Sequence, residues 1–386
     1  MGHGHGKHGH DKHGHHGKHA AGDGDARELH DGVGDGLVPL VPLDLATISS
    51  ADDLVRAMSR TAFAGRSLGE AADVLEAMVR DPECMVVCTL SGAMTIAKMG
   101  LVLCDMIEQG WIHAIVSTGA LMCHGFVEAT GRNHFKHDPH MDDQELYEKG
   151  YDRVYDTLEL EQSLDDIQLI VDQVLAQMPV DSAFGSADLH ARLGRWLVDN
   201  VPGRGVLKAA WEHHVPVYVP AFTDSEIGLD VALFQRRSRT EGRAYPIYDG
   251  FLDLEAYTAQ VIAAPKVGIF TVGGGAPRNW AQQVAPYLEI TNHRLGTDLP
   301  LRQFGYGIRL CPEPVHWGGL SGCTYEEGVS WGKFVHPRHG GRYSEVLADA
   351  TVTWPLLIKA VQERMAASPP PPKSFPESPL FAAARR

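Results

Sequence analysis

The sequence predicts an α/β fold: a mainly parallel, Rossmann-like sheet with helices on both faces, in a single large domain. Short, nearly continuous apolar runs alternate with longer segments of helical periodicity. Four of those runs pass directly into loops of small or polar residues, at Ser91-Gly92, 117–120, 220–225 and 273–275. Hydrophobic residues make up 44% of the 386 positions, enough for one large core.

Residues 1–36 are compositionally foreign to the rest. Positions 1–19 hold eight histidines among glycines and lysines, without hydrophobic periodicity. A segment that cannot bury apolar surface is expected to be a disordered arm, and neutral imidazoles in it bind divalent metal non-specifically. The domain proper is expected over 37–366. Ser67-Leu68-Gly69-Glu70 reads as a capping box opening a helix that carries Ala72, Leu75 and Val79. Positions 84–90 are almost wholly apolar, as in a strand buried on both faces. A helix to Glu108 and a strand at 114–116 follow. Helical spacing of Leu164, Ile167, Ile170, Val171 and Val174 predicts a helix over 163–177. Further along come a helix at 206–213, a strand at 215–219, a helix at 252–263 and a strand at 267–272. After Gly273-Gly274-Gly275 a helix is expected to begin at Pro277. Positions 367–386, with prolines at 369–372, read as an extended tail.

Composition narrows the partners. No run approaches the roughly 18 uninterrupted apolar residues of a membrane span. No apolar leader core is present at the start, so a cytoplasmic location is expected. A formal charge of −15 argues against nucleic acid and is compatible with cationic small molecules. Six cysteines include no Cys-x-x-Cys pair, so they read as buried thiols, and no metal site is expected in the folded part.

The chemistry concentrates in Glu326-Glu327-Gly328-Val329-Ser330-Trp331-Gly332-Lys333. A lysine amine beside an aromatic face and carboxylates suits imine chemistry on an amine substrate. Loops at the carboxyl ends of parallel strands converge on one crevice, so the four loops predict a dinucleotide-sized site. Glycines 273–275, between a strand and a helix, let main-chain N–H groups approach a phosphate.

These residues carry a resemblance. The lysine segment is similar to the lysine motif of the deoxyhypusine synthase family. Ser117-Thr118-Gly119-Ala120, Pro220-Ala221-Phe222-Thr223-Asp224-Ser225, Gly273-Gly274-Gly275 and Ala348-Asp349-Ala350 resemble further family motifs in the same order. The resemblance implies NAD as cofactor, held by Ser91, Thr118, Gly119, Ala120, Asp224, Gly274, Gly275, Asp349 and Ala350. It implies spermidine as donor of an aminobutyl group captured by Lys333 as a Schiff base, with Glu327 and Trp331 holding the polyamine. It also implies a homotetramer with sites at subunit contacts. Three positions depart from the eukaryotic pattern: Asn279 stands for a histidine, His124 for a glutamate, and Leu320 for an aspartate. These departures resemble the bacterial branch of the family and imply a small polyamine as acceptor, giving a homospermidine-type product. His124 is the candidate proton carrier and Asn279 a substrate neighbour. Two alternatives stand beside this: deoxyhypusine synthesis on a protein lysine, and a non-enzymatic metal-buffering protein working through its His-rich arm.

Overall fold

The computed structural model describes residues 29–180 and 182–385. The His-rich stretch therefore lies outside the described residues, and its expected disorder and metal affinity with it. Residues 29–40 belong to a separate small unit, in which Leu37 N–H donates to Gly32 O at 2.9 Å. The main unit begins at Val41.

Six parallel strands build its central sheet: β1 (Cys84–Leu90), β2 (Ala114–Ser117), β3 (Val217–Tyr218), β4 (Lys266–Val272), β5 (Phe304–Leu310) and β6 (Arg342–Val346). Their spatial order is β6-β5-β4-β1-β2-β3. Read from the other edge this is the doubly wound Rossmann order, with its topological switch point between β1 and β4. Both faces of the sheet are covered. Cys84, Val86, Cys88 and Leu90 pack into one core cluster, whereas the alternate residues Met85 and Val87 pack into another. The first cluster holds the helices α1 (Phe63–Arg80), α2 (Gly100–Glu108) and α3 (Gly119–Ala129), which carry buried Leu75, Leu103 and Phe126. It also takes in α4 (Glu161–Ala176) and α5 (Glu226–Thr240). The second holds α6 (Phe251–Ala263) through Tyr257 and Val261, and α7 (Gly275–Gln282) through Ala281. The two-residue alternation of the strand thus feeds two separate cores.

Several local expectations need correction. Helix α1 starts at Phe63, so Ser67 sits inside its first turns and does not cap it. Packing decides this: a Cβ on Gly69 would lie 2.5 Å from the backbone of Ser59 in the preceding helix. The strand expected at 215–219 keeps only Val217–Tyr218, because the hydroxyl of Ser186 takes the N–H of Val219 at 2.8 Å. Pro277 is the third residue of α7, where its missing N–H costs nothing, and not its first. Helix α8 (Tyr325–Ser330) belongs to the lysine segment, and α9 (Ala350–Ala367) follows β6.

The tail is not a dangling extension. Lys373 Nζ donates to Met78 O at 2.7 Å and to Cys84 O at 2.9 Å. A last helix, α10 (Pro379–Ala384), buries Phe381 against Trp211. Composition reported the prolines but not the aromatic residues that follow them. An antiparallel sheet of Phe135–Lys136, Thr157–Leu160 and Tyr151–Val154, inserted after α3, was also unforeseen. Among the described residues no helix is long and apolar enough to cross a membrane.

Candidate active site

The loops after β1 and β4 meet at the switch point. Gly274 N–H donates to Ser91 Oγ at 2.8 Å. Gly273 and Gly275 have φ of 77° and 62°, a left-handed backbone that side chains disfavour. A Cβ on Gly274 would stand 2.6 Å from Ser321 Cα, in the segment after β5, so only glycine fits there. No side chain caps the start of α7. The N–H groups of Gly275 and Ala276 are therefore available to an anion, as a phosphate-binding helix start requires.

The loops after β2 and β3 meet in the same way. A Cβ on Gly119 would lie 2.4 Å from that of Ser225. Thr118 caps α3 by accepting from Leu121 N–H at 3.4 Å, and Ser225 caps α5 by accepting from Gly228 N–H at 3.1 Å. Ala120 lies in the first turn of α3, and Asp224 is exposed beside the cap of α5. At the far edge Asp349 caps α9, with Oδ1 accepting from Thr351 N–H at 2.7 Å and Oδ2 left unused there; Ala350 behind it is buried. The expected cofactor residues thus line one carboxyl edge spanning six strands, roughly 24 Å at about 4.8 Å per strand. That edge is long enough for an extended dinucleotide.

Lys333 is placed by its own local sequence. Thr324 caps α8 by accepting from Glu327 N–H at 3.0 Å. The helix closes in a Schellman turn: Gly332, at φ 69°, donates to Val329 O at 3.0 Å and Lys333 N–H donates to Gly328 O at 3.1 Å. Lys333 O then accepts from Phe304 N–H at 2.9 Å, tying the segment to β5. The lysine is buried, at 8% exposure, and its Nζ donates to Asn279 Oδ1 at 3.0 Å. The Trp331 ring centroid lies 5.9 Å from Nζ, with the indole exposed rather than packed into the core. Burial holds the Lys333 pKa below the ordinary lysine value; the Cys323 sulfur opposes this, Arg278 adds to it and the exposed Glu327 opposes it. A depressed pKa increases the share of neutral, nucleophilic amine.

Arg278 and Cys323 were not singled out in the sequence. Arg278 is buried against the Tyr325 ring, with its centroid 5.1 Å away, and donates to Cys323 O at 2.6 Å. Position 278, directly before Asn279 on a helix facing the lysine, was the available signal. The thiols are buried as expected, except that of Cys323, which is half-buried.

Of the three departing positions, only Asn279 touches Lys333. Leu320 is exposed on a short turn. His124 shares no contact with Lys333 within one chain among the described residues. It lies instead with Nδ1 2.5 Å from Glu159 Oε2, and His134 Nε2 lies 3.1 Å from Glu159 Oε1. No metal site was expected, yet these three side chains bring their ligand atoms within 4.8 Å of one another. The hydrogen bonds favour another reading. Lys98 Nζ stands 2.8 Å from His134 Nδ1, and an ammonium only donates, so His134 Nε2 carries the hydrogen directed at Glu159. A nitrogen carrying that hydrogen has no lone pair for an ion.

Comparisons with known proteins give the family. A family profile described as deoxyhypusine synthase matches residues 53–361. The chain is 34% identical over 328 residues to "Probable deoxyhypusine synthase 2" of Methanosarcina mazei, covering 84% of this chain and 90% of that one. It is 32% identical over 311 residues to a deoxyhypusine synthase-like protein of Chlorobaculum parvum, covering 79% and 84%. The crystal structure of a candidate deoxyhypusine synthase from Entamoeba histolytica superposes with a TM-score of 0.52 at 12% identity, over 83% of this chain and 96% of the other, and supports the fold alone. With a profile covering most of the chain, and archaeal and bacterial relatives above 30% identity over most of their length, the chain belongs to the deoxyhypusine synthase family.

Proposed function

We propose that this protein transfers a 4-aminobutyl group from spermidine to a small amine, through an imine on Lys333. The observation that carries the reading is Lys333 itself: a buried amine with a lowered pKa, held by Asn279 and flanked by an exposed tryptophan face. A surface lysine with no covalent duty has no need of such a setting.

The carboxyl-edge loops fit NAD. Glycines 274 and 275 leave the start of α7 open to a phosphate, and Asp224 and Asp349 offer carboxylates to ribose hydroxyls. NAD, when bound there, supplies a reversible hydride acceptor, so oxidation of the donor and reduction of the product balance without net consumption. Neutral Lys333 attacks the donor imine, keeps the aminobutyl fragment as a Schiff base, and a diamine leaves. The acceptor amine then displaces Lys333 by the same exchange, and Nζ returns to Asn279. Glu327 supplies a carboxylate to the ammonium end of the polyamine, and the face of Trp331 stacks on its chain. Asn279 hydrogen-bonds but does not carry protons at neutral pH. Its presence in place of a histidine supports a small acceptor of the homospermidine-forming type. The test is incubation with NAD and spermidine, with and without putrescine, followed by analysis of amines and of candidate acceptor proteins by mass. A new polyamine without NADH build-up supports the reading. A mass increase on a protein lysine alone would move it to deoxyhypusine synthesis.

Gly274→Ala is expected to abolish NAD binding at millimolar ligand, because its Cβ must displace the Ser321 backbone. Calorimetric titration checks this, with Lys333 left unaltered. A homotetramer is also proposed. Leu229 and Leu233, one turn apart on α5, are both more than half exposed, an apolar pair that a subunit contact would cover. Light scattering is expected to give four times the chain mass, and an active monomer would refute it.

A further inference from the structure

The surroundings of His124 form an ordered chain of donors. Lys98, at its outer end, has φ 63°, a conformation that non-glycine residues rarely adopt without a reason. This backbone places its Nζ 3.2 Å from Glu128 Oε1 and 2.8 Å from His134 Nδ1. His134 must accept there, so in the neutral ring the hydrogen lies on Nε2 and is given to Glu159. The Glu159 side chain is 2% exposed and has two imidazoles against it. Burial pushes its pKa up, but hydrogen bonding to His124 and His134 outweighs this and holds the carboxyl at about 2. Its second oxygen faces His124 Nδ1 in a close but bent contact, the N–H not pointing straight at the oxygen. The sequence separations of 98, 134 and 159 from 124 hide this arrangement completely.

We propose that Glu159, oriented by His134 and Lys98, is the positioning residue that makes His124 Nε2 the proton carrier of the transfer reaction. The inference rests on the aminobutyl-transfer reading. A buried carboxylate 2.5 Å from Nδ1 favours the tautomer with its hydrogen on that nitrogen and leaves Nε2 as the working one, as an acid orients a histidine base in hydrolases. His124 sits on α3, just beyond the Thr118–Ala120 turn at the cofactor edge. Glu159 from the inserted sheet and His134 from the loop before it lie against it, and the charges of Asp152 on that sheet and Glu226 on α5 act on it. Burial lowers the His124 pKa, but Glu159 first and then Glu226 and Asp152 outweigh it, so the net shift is upward. An acceptor amine arrives as an ammonium and must give up one N–H proton to expose its lone pair. That proton passes to Nε2, and Glu159 balances the imidazolium that forms.

The sign follows. Activity should rise with pH as His124 loses its proton, with a midpoint above the usual histidine value of about 6.5. In Glu159→Gln the midpoint should fall to about 6.5 or below, and kcat on the plateau should drop by about 100-fold with little change in KM. Glu159→Asp should recover part of the rate. Lys98→Met, at a half-exposed side chain, should cost about tenfold and keeps the question answerable if Glu159→Gln does not fold. Hydrogen exchange at the C2 positions of the imidazoles, read by mass spectrometry on the full chain, gives the pKa of His124 independently of activity. A Glu159→Gln protein with the wild-type His124 exchange profile overturns the inference, even if its activity falls, because that result marks a merely structural role. Borohydride trapping on Lys333 of the wild type separates the two claims. Without a trapped adduct the transfer reading fails; with one and an unshifted His124, only the positioning role fails.

Discussion

Lys333→Arg is expected to abolish aminobutyl transfer, by about three orders of magnitude or more, while leaving the fold and NAD binding intact. The backbone of residue 333 is held by hydrogen bonds to Gly328 O and from Phe304 N–H, and neither uses the side chain. Guanidinium still donates to Asn279 but does not deprotonate near neutral pH, so no nucleophile remains. Lys333→Ala removes the holder altogether. Slow oxidation of spermidine should then release the free aminoaldehyde or its cyclic imine in place of the transfer product. Borohydride added during turnover should fix the aminobutyl fragment to wild-type Lys333 only when NAD is present. Transfer product from either variant at near wild-type rate would remove Lys333 from the chemistry, and an adduct on another lysine would relocate it.

The lysine segment was legible because its function and its local structure use the same residues. Thr324 and Glu327 start α8, Gly332 ends it, and the nucleophile is the next residue. Strands β1 and β4 were equally legible, since burial on both faces leaves a continuous apolar run. Strands β5 and β6 escaped notice because polar residues interrupt them. Arg309 is buried in β5 with its guanidinium on Glu345 of β6 at 3.1 Å, and composition cannot distinguish such a paired charge from an exposed one. The group around His124 escaped for another reason. Lys98, His134 and Glu159 come from three separate loops and strands, brought together only by the antiparallel insertion after α3. Pairwise spacing carries no trace of such a contact.

Deleting residues 368–386 is expected to destabilise the protein by roughly 2–4 kcal/mol while sparing transfer activity at low temperature. Full burial of a side chain such as Phe381 contributes about 1.5–3 kcal/mol, and Phe375, set edge-on to His113 at 4.7 Å, adds to it. The conformational entropy of the ordered segment offsets part of that gain. Lys373 supplies the pH signature. Burial holds its pKa down at about 8, against the opposing Cys84 and Asp81. Between about 8 and the unfolded lysine value near 10.4 the unfolded chain carries the extra proton, so stability should rise with pH across that window. A neutral amine still has two hydrogens, one for each of the carbonyls of Met78 and Cys84. In Lys373→Met this contribution vanishes, so the difference in unfolding midpoint between wild type and variant should change from pH 7.5 to pH 10. Denaturant titrations at both values decide the point. An unchanged midpoint in the truncated chain would show the segment to be an ornament on the fold, and an equal pH response in both full-length proteins would clear Lys373 of any role.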